Sequence, residues 1–221
     1  AQMLRTKKTK LVGVILPKID SNTISREVAG ISDILTKKGY QLILANTNNN
    51  IEEELKYLSL FKDNQVDGVI FIATILTKQH RDMLKEYKVP IVLLGQRLEG
   101  YPCIFQDDQK AAMTLTEQMV KTGSKFGYIT VTDKDEAVGR KRMSGVEEIL
   151  SKNKIEFGSE YVKCGDFTLE SGYEKAGELF GEHPDIDTLI CATDTMAVGA
   201  VSWLKKNGYR IPEQVQVAGM G

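Results

Sequence analysis

Short apolar runs alternate with segments of helical period along nearly the whole chain. "LVGVIL" (Leu11 to Leu16), "QLILA" (Gln41 to Ala45), "GVIFIA" (Gly68 to Ala73) and "IVLL" (Ile91 to Leu94) are almost unbroken apolar stretches, as expected of strands covered by helices on both faces. Between the first two, Val28, Ile31, Ile34 and Leu35 recur at the spacing of one helix face, and Gly39 supplies the stop. Strand and helix alternating in this way predict an α/β chain built on parallel sheets.

The two halves carry the same pattern. A shift of 115 places lays "VAGISDILTKK" (Val28 to Lys38) over "MSGVEEILSKN" (Met143 to Asn153), with Gly30 on Gly145 and Ile34-Leu35 on Ile149-Leu150. The same shift puts the first strand over "YITV" (Tyr128 to Val131), and a shift of 120 puts "VDGVIFIAT" (Val66 to Thr74) near "IDTLICAT" (Ile186 to Thr193). Any two α/β stretches share some apolar pattern, but here strand, helix, strand and helix recur in one order, which favours two lobes of like topology. The crossing is expected near Lys121 to Lys125, giving lobes over residues 10–122 and 123–221, with residues 1–9 as a linker. In open α/β lobes ligands sit beyond the carboxyl ends of the strands, so two such lobes facing each other predict a ligand cleft.

Composition narrows the choice of partners. At 221 residues the chain is long enough for one large or two medium compact units. Its 29 basic and 30 acidic side chains give a net charge of −1, without the cationic excess of a nucleic-acid-binding surface. Cys103, Cys164 and Cys191 have no metal-ligand spacing and cannot all pair within one chain, which fits a reducing, cytoplasmic setting. No run approaches the roughly 18 apolar residues of a membrane span, and "AQMLRTKKTK" lacks the apolar region of a signal peptide. The chain starts at Ala rather than Met, which leaves open whether a leader once preceded it.

Several chemistries lack their motifs. No G-x-G-x-x-G follows the first strand, and no phosphate-binding G-x-x-x-x-G-K-[ST], G-x-S-x-G elbow or H-E-x-x-H helix is present. Neither a catalytic residue, a metal ligand nor a cofactor is therefore assigned. The only histidines, His80 and His183, have polar neighbours and are expected at the surface. In "QDD", Asp107 and Asp108 form the one carboxylate pair at a strand end; it could do acid–base work, and the reading preferred here is that one of the two caps the helix beginning near Gln109.

Candidate ligand residues cluster at strand ends. "DEAVGRKRMSGVEEIL" places Arg140, Lys141 and Arg142 in the first turn of a predicted helix, where cations oppose the helix dipole. Such a cost suits a hydroxyl-rich or anionic ligand; a solvated basic turn screened by Asp133, Asp135 and Glu136 is the alternative. "PKIDSNTIS" follows the first strand with Lys18, Asp20, Ser21, Asn22 and Thr23, any of the last four being a possible N-cap. "TDTMAVGA" puts Asp194 at a strand's carboxyl end, able to accept two sugar hydroxyls or to cap its own helix. "GDFTLESG" puts Phe167 before another helix, where its ring could stack on a sugar or pack in the core.

At these residues the chain resembles the lactose/galactose repressor family. "LVGVILPKIDSNTISREVAGI", "GYQLILANTNNNIEEELKYL", "QVDGVIFIAT", "GDFTLESGYEKA" and "ATDTMAVGAVSWLKKNGYRIPEQVQVAGMG" follow its pattern in order and cover essentially the whole chain. The resemblance implies two Rossmann-like subdomains of the periplasmic-binding-protein type, a small effector in the cleft, a homodimer and no enzymatic activity. It also implies an N-terminal helix-turn-helix domain, absent here, that reads operator DNA, with "AQML" (Ala1 to Leu4) as the end of its hinge. In the family the effector changes the angle between N-terminal lobes and so orders or melts the hinge.

Carried over by motif, Arg142 takes the place of the family's sugar-binding arginine and Asp194 that of its sugar-binding aspartate. Phe167 falls where the family often has an aromatic ring, and Lys18 to Ile24 matches its first contact loop, with Ser21 and Thr23. There "KIDSNTI" departs from the usual "D-x-S-N-P-F", losing a proline and an aromatic. Lys18, Arg140 and Lys141 resemble members that sense phosphorylated disaccharides, so the expected effector is a disaccharide or its 6-phosphate, with sucrose and trehalose derivatives leading. The family's chain also continues beyond the strand at "VQVAGMG", so the second lobe is expected to be incomplete. A periplasmic sugar-binding protein shares fold and cleft, and an α/β enzyme would need the "QDD" pair.

Overall fold

The computed structural model describes residues 8–221, so the hinge reading of "AQML" lies outside the described residues. In chain order the elements are β1 (Leu11–Leu16), α1 (Asn22–Lys37), β2 (Gln41–Asn46), α2 (Ile51–Asp63), β3 (Gly68–Ile72), α3 (Lys78–Lys85), β4 (Ile91–Leu94), β5 (Cys103–Ile104) and α4 (Asp108–Met119). Then follow β6 (Phe126–Thr130), a π-helix (Glu136–Lys141), α5 (Arg142–Lys152), β7 (Val162–Cys164), α6 (Leu169–Glu182), β8 (Thr188–Cys191), α7 (Asp194–Lys206) and β9 (Gln216–Ala218). The apolar runs therefore became strands, and α1 stops just before Gly39.

Two compact units divide the chain between Gln106 and Asp107. The first holds a five-stranded sheet in the order β2-β1-β3-β4-β5, the second a four-stranded sheet in the order β7-β6-β8-β9, and every pairing is parallel. Strands equivalent by sequence shift occupy equivalent places: β1 and β6 lie second in each sheet, β3 and β8 third. The duplicated-lobe reading thus matches the topology, while the division falls ahead of the expected 122/123. The reason is packing: α4, which precedes β6 in sequence, lies against α5, where a Cβ at Gly145 would collide with the Gln109 carbonyl and stand 2.9 Å from Ala112.

Each sheet is buried by helices, as unbroken apolar strands require. In the first unit Ile15, Val69, Phe71, Ile91 and Leu93 pack with Leu58 and Phe61 of α2 and Leu84 of α3, while Val14, Leu16 and Ile72 meet Val28 of α1 on the opposite face. The second unit has one larger core around Tyr128, Ile129, Leu179, Phe180, Leu189 and Ile190. Coverage of the first unit is uneven. Val28 is the one buried residue of α1, Ile34 is 54% exposed, and Ile43 and Leu44 of the edge strand β2 are exposed as well.

His80 is not at the surface, contrary to the expectation from its polar neighbours. It sits third in α3 on the face turned toward α2, where it is fully buried. Its Nδ1 accepts the Thr77 backbone N–H at 3.2 Å while the Thr77 hydroxyl caps the His80 N–H, and its Nε2 lies 3.1 Å from Oε2 of buried Glu54. The Phe71 ring stacks on it at 5.6 Å. With Nδ1 an acceptor, Nε2 faces the Glu54 carboxylate at ion-pair distance, although neither atom makes an aligned hydrogen bond among the described residues. His183 is partly exposed and leans on Tyr161.

These environments predict unequal costs. Replacing His80 by Ala should remove roughly 2–4 kcal/mol of stability, because it strands Glu54 and opens the cap, whereas His183→Ala should cost less than about 1 kcal/mol. Urea denaturation of the two variants checks this, and equal costs would contradict the buried pairing.

Candidate functional site

Parallel strands deliver their following loops to one edge, and in the second unit that edge gathers the chemistry. After β6 the chain turns through Thr132 and Asp133 into a helix capped by Asp135, whose carboxylate accepts the Ala137 and Val138 N–H groups at 3.0 and 2.9 Å. Because the helical path starts at Glu136 and runs through the π-helix into α5 without a cap at Lys141, Arg142 is well inside it. Arg140, Lys141 and Arg142 were expected in a first turn. That arrangement is not the one formed, and the expected conflict with the helix dipole disappears. Wide π turns of this kind occur often at functional sites.

Arg142 is only 7% exposed. Its Nε donates to Asp108 Oδ1 at 2.8 Å, and its Nη1 donates to the Ala192 carbonyl at 2.6 Å and the Met220 carbonyl at 3.3 Å. Those acceptors come from the start of α4, the end of β8 and the end of β9. A guanidinium has five N–H donors; Nη2, with two of them, has no partner among the described residues. The Met220 carbonyl also accepts the Asp194 N–H at 3.1 Å, so one backbone oxygen joins the two residues.

Asp194 opens α7 without capping it, since Thr193 accepts the Met196 N–H as N-cap. Its exposed carboxylate meets no donor among the described residues and lies over Gly219, where a Cβ would come 2.6 Å from Oδ1. Phe167, in the loop between β7 and α6, is half-buried against the core with φ +72°, a left-handed conformation costing a non-glycine residue about 1–3 kcal/mol. Thr168 fixes that turn: it caps α6 through the Ser171 N–H and hydrogen-bonds Asp166. Strained backbone of this kind clusters at ligand sites.

The remaining candidates are engaged differently. Arg140 is exposed and ion-paired with Glu136, and Lys141 is partly buried beside Arg142 with a partner of its own. In the first unit Ser21 is the N-cap of α1, Thr23 is exposed in its first turn, and Lys18 pairs with Asp20 at 3.7 Å. Asp107 caps α4 through the Lys110 N–H at 3.1 Å, as expected of one member of "QDD". Sequence reasoning missed the other member as the partner of Arg142; the only available signal was the adjacency of two carboxylates at a strand end. The Ala192 and Met220 carbonyls, being backbone, carried no signal at all.

The profile of the family described as periplasmic binding proteins and sugar binding domain of LacI family matches residues 9–220. Catabolite control protein A of Priestia megaterium is 31% identical over 99% of this chain and 67% of its own length. The sucrose operon repressor of Staphylococcus xylosus is 28% identical over 90% of this chain, which spans 61% of that relative. Among solved structures, a complex of transcriptional regulator CelR with cellobiose superposes with a TM-score of 0.84 at 26% identity, over 96% of this chain and 67% of that one.

The two neighbouring aspartates should separate on mutation. Asp107→Ala removes a cap and should cost about 1 kcal/mol; Asp108→Ala strands a buried guanidinium and should cost roughly 3–5 kcal/mol. Chemical denaturation measures both, and the reverse order would detach Asp108 from Arg142.

Proposed function

The chain belongs to the family of periplasmic binding proteins and LacI-type sugar-binding domains, and from that premise we propose that it is the effector-binding region of a sugar-responsive transcription repressor. The observation that carries this reading is the pairing of two spare groups at one carbonyl. Arg142 offers the two N–H donors of Nη2, Asp194 offers two carboxylate acceptors, and Met220 O binds both residues. Neighbouring hydroxyls of a sugar ring need both a donor and an acceptor, and charged partners give each such bond about 1.5–3 kcal/mol. The Phe167 ring provides an apolar surface for the sugar's C–H face.

The effector in this reading is a disaccharide. CelR in complex with cellobiose supports that size class, and a sucrose operon repressor among the relatives keeps sucrose a leading candidate. A 6-phosphate is supported less well, because Lys18 and Arg140 already pair with Asp20 and Glu136. The protein acts in the cytoplasm as a homodimer, without catalysis, and reaches operator DNA through a separate DNA-reading domain. The net charge of −1 agrees with a DNA grip located elsewhere. The regulator names of its relatives favour this reading over a periplasmic transport protein. No helix among the described residues is long and apolar enough to cross a membrane.

Isothermal calorimetry with sucrose, trehalose and their 6-phosphates tests the site. A neutral disaccharide should bind, and Asp194→Ala should weaken it at least tenfold, about 1.4 kcal/mol. Equal affinity for a sugar and its phosphate would remove any role for the phosphate; no heat with any of the four would end the disaccharide reading. A bound sugar that leaves the gel shift of the full gene product on its upstream DNA unchanged would end the repressor reading.

We place the second copy in the dimer on the thinly covered face of α1 and β2, where Ile34 and Leu44 meet solvent beside a sheet edge unpaired among the described residues. Ile34→Asp should shift the sedimenting species from dimer toward monomer; a dimer of unchanged strength would place the contact elsewhere.

A further inference from the structure

Two fixed points bound the wide turn that leads to Arg142. At its start Asp135 is buried, its carboxylate caps Ala137 and Val138, and its own N–H donates to the Thr132 carbonyl at 3.1 Å. At its end Arg142 lies on the buried face of α5 with Gly145, Val146 and Ile149, at the spacing of one helix stripe. The packing of α5 therefore sets the direction in which the Arg142 side chain leaves the backbone. Between the two points the Asp135 carbonyl accepts both the Gly139 N–H at 3.1 Å and the Arg140 N–H at 3.0 Å, and the Arg142 N–H reaches back five residues to Ala137. Bonds of that length absorb one residue more than an α-helical turn does. A regular helix advances about 100° per residue, so without the extra residue the cap and the inward face of α5 would be out of register by about that angle.

Gly139 is where the wide turn meets the rest of the unit. It is buried, and a Cβ there would collide with the Thr132 carbonyl oxygen and stand 2.9 Å from the carbonyl carbon and 3.3 Å from Asp133 Cα. These are backbone atoms, fixed by the end of β6 and by the Thr132–Asp135 hydrogen bond, and they cannot turn aside as a flexible side chain would. Carbon contacts are comfortable near about 3.5 Å, so a methyl group would force one of the two backbones away by roughly 0.5–1 Å. A glycine inside a helix costs about 1 kcal/mol against alanine, and here it permits an approach that alanine forbids.

We propose that Gly139 is a positioning residue for Arg142. Its missing side chain lets the wide turn close against Thr132, and that closure sets how far the guanidinium reaches between Asp108, Ala192 and Met220. A retreat of the turn breaks the Met220 bond first, because at 3.3 Å it is longer than the other two, at 2.8 and 2.6 Å. The link to Asp194, whose N–H the same carbonyl accepts, goes with it. Gly139 itself touches no sugar. Its effect on sugar affinity rests on the function proposed above, whereas its effect on the Arg142 contacts does not.

Gly139→Ala in the whole chain tests this, read by crystal structures of both proteins and by calorimetry with sucrose and with trehalose. The variant should show the Arg142–Met220 contact broken and the affinity for the bound disaccharide reduced at least tenfold. Three intact Arg142 contacts, or equal affinities, would overturn the proposal. Gly127→Ala is the control, because a Cβ there presses instead on the Leu179 and Ile186 side chains of the core, at 2.7 and 3.0 Å. It should lower Tm and leave affinity unchanged; a parallel loss of affinity would reduce Gly139 to a general structural role and overturn the proposal as well. If Gly139→Ala does not fold, deletion of the exposed Arg140 decides, since it removes the extra residue of the turn. A folded deletion variant that keeps all three Arg142 contacts refutes the positioning role, and one that loses them supports it. Should the wild type bind neither sugar nor the 6-phosphate of either, the proposed function falls while the crystal structures still decide the role of Gly139.

Discussion

A guanidinium with 7% exposure must find acceptors for most of its donors or unfold the region around it. Meeting that requirement at Arg142 organises the second unit. The carboxylate of Asp108 comes from α4, and the two carbonyls come from the ends of β8 and β9, positions 34, 50 and 78 residues away in sequence. None of these three can move without exposing or stranding the charge. The close α4–α5 approach at Gly145, the cap-free passage from the π-helix into α5 and the close approach of Asp194 to Gly219 serve the same arrangement.

Helix capping competes with ligand binding for the same residue types at the same edge. Ser21, Asp107, Asp135, Thr168 and Thr193 each hold a backbone N–H at the start of a helix. Asp194 escapes because Thr193 caps first, and Asp108 escapes because Asp107 does. The carboxylates left over are the ones that face Arg142 or solvent. The site is thus what remains once the backbone donors at the helix starts are satisfied, a consequence of unpaired N–H groups at every helix N-terminus.

The first unit shows a similar economy with a different result. Its buried polar pair, His80 and Glu54, ties α3 to α2 beneath Phe71 and leaves neither group available to a ligand. On the opposite face α1 buries little, and the edge strand β2 keeps Leu44 in solvent. One face is closed over an internal polar pair; the other is suited to closure by association.

Periodicity alone determined that this is a parallel α/β chain with a repeated strand and helix order, because a strand buried on both faces must be apolar throughout and a covering helix must carry a stripe. Cap residues were legible as a set, since few side chains can take a backbone N–H, but not which of Asp107 and Asp108 would do so. The family resemblance named Arg142, Asp194 and Phe167. Only the tertiary structure decided that Arg142 is buried, that Asp108 holds it, that His80 lies inside, and that α4 packs with the second unit. Each of these depends on contacts between residues far apart in sequence, several of them with backbone carbonyls that every residue possesses and no sequence pattern can single out.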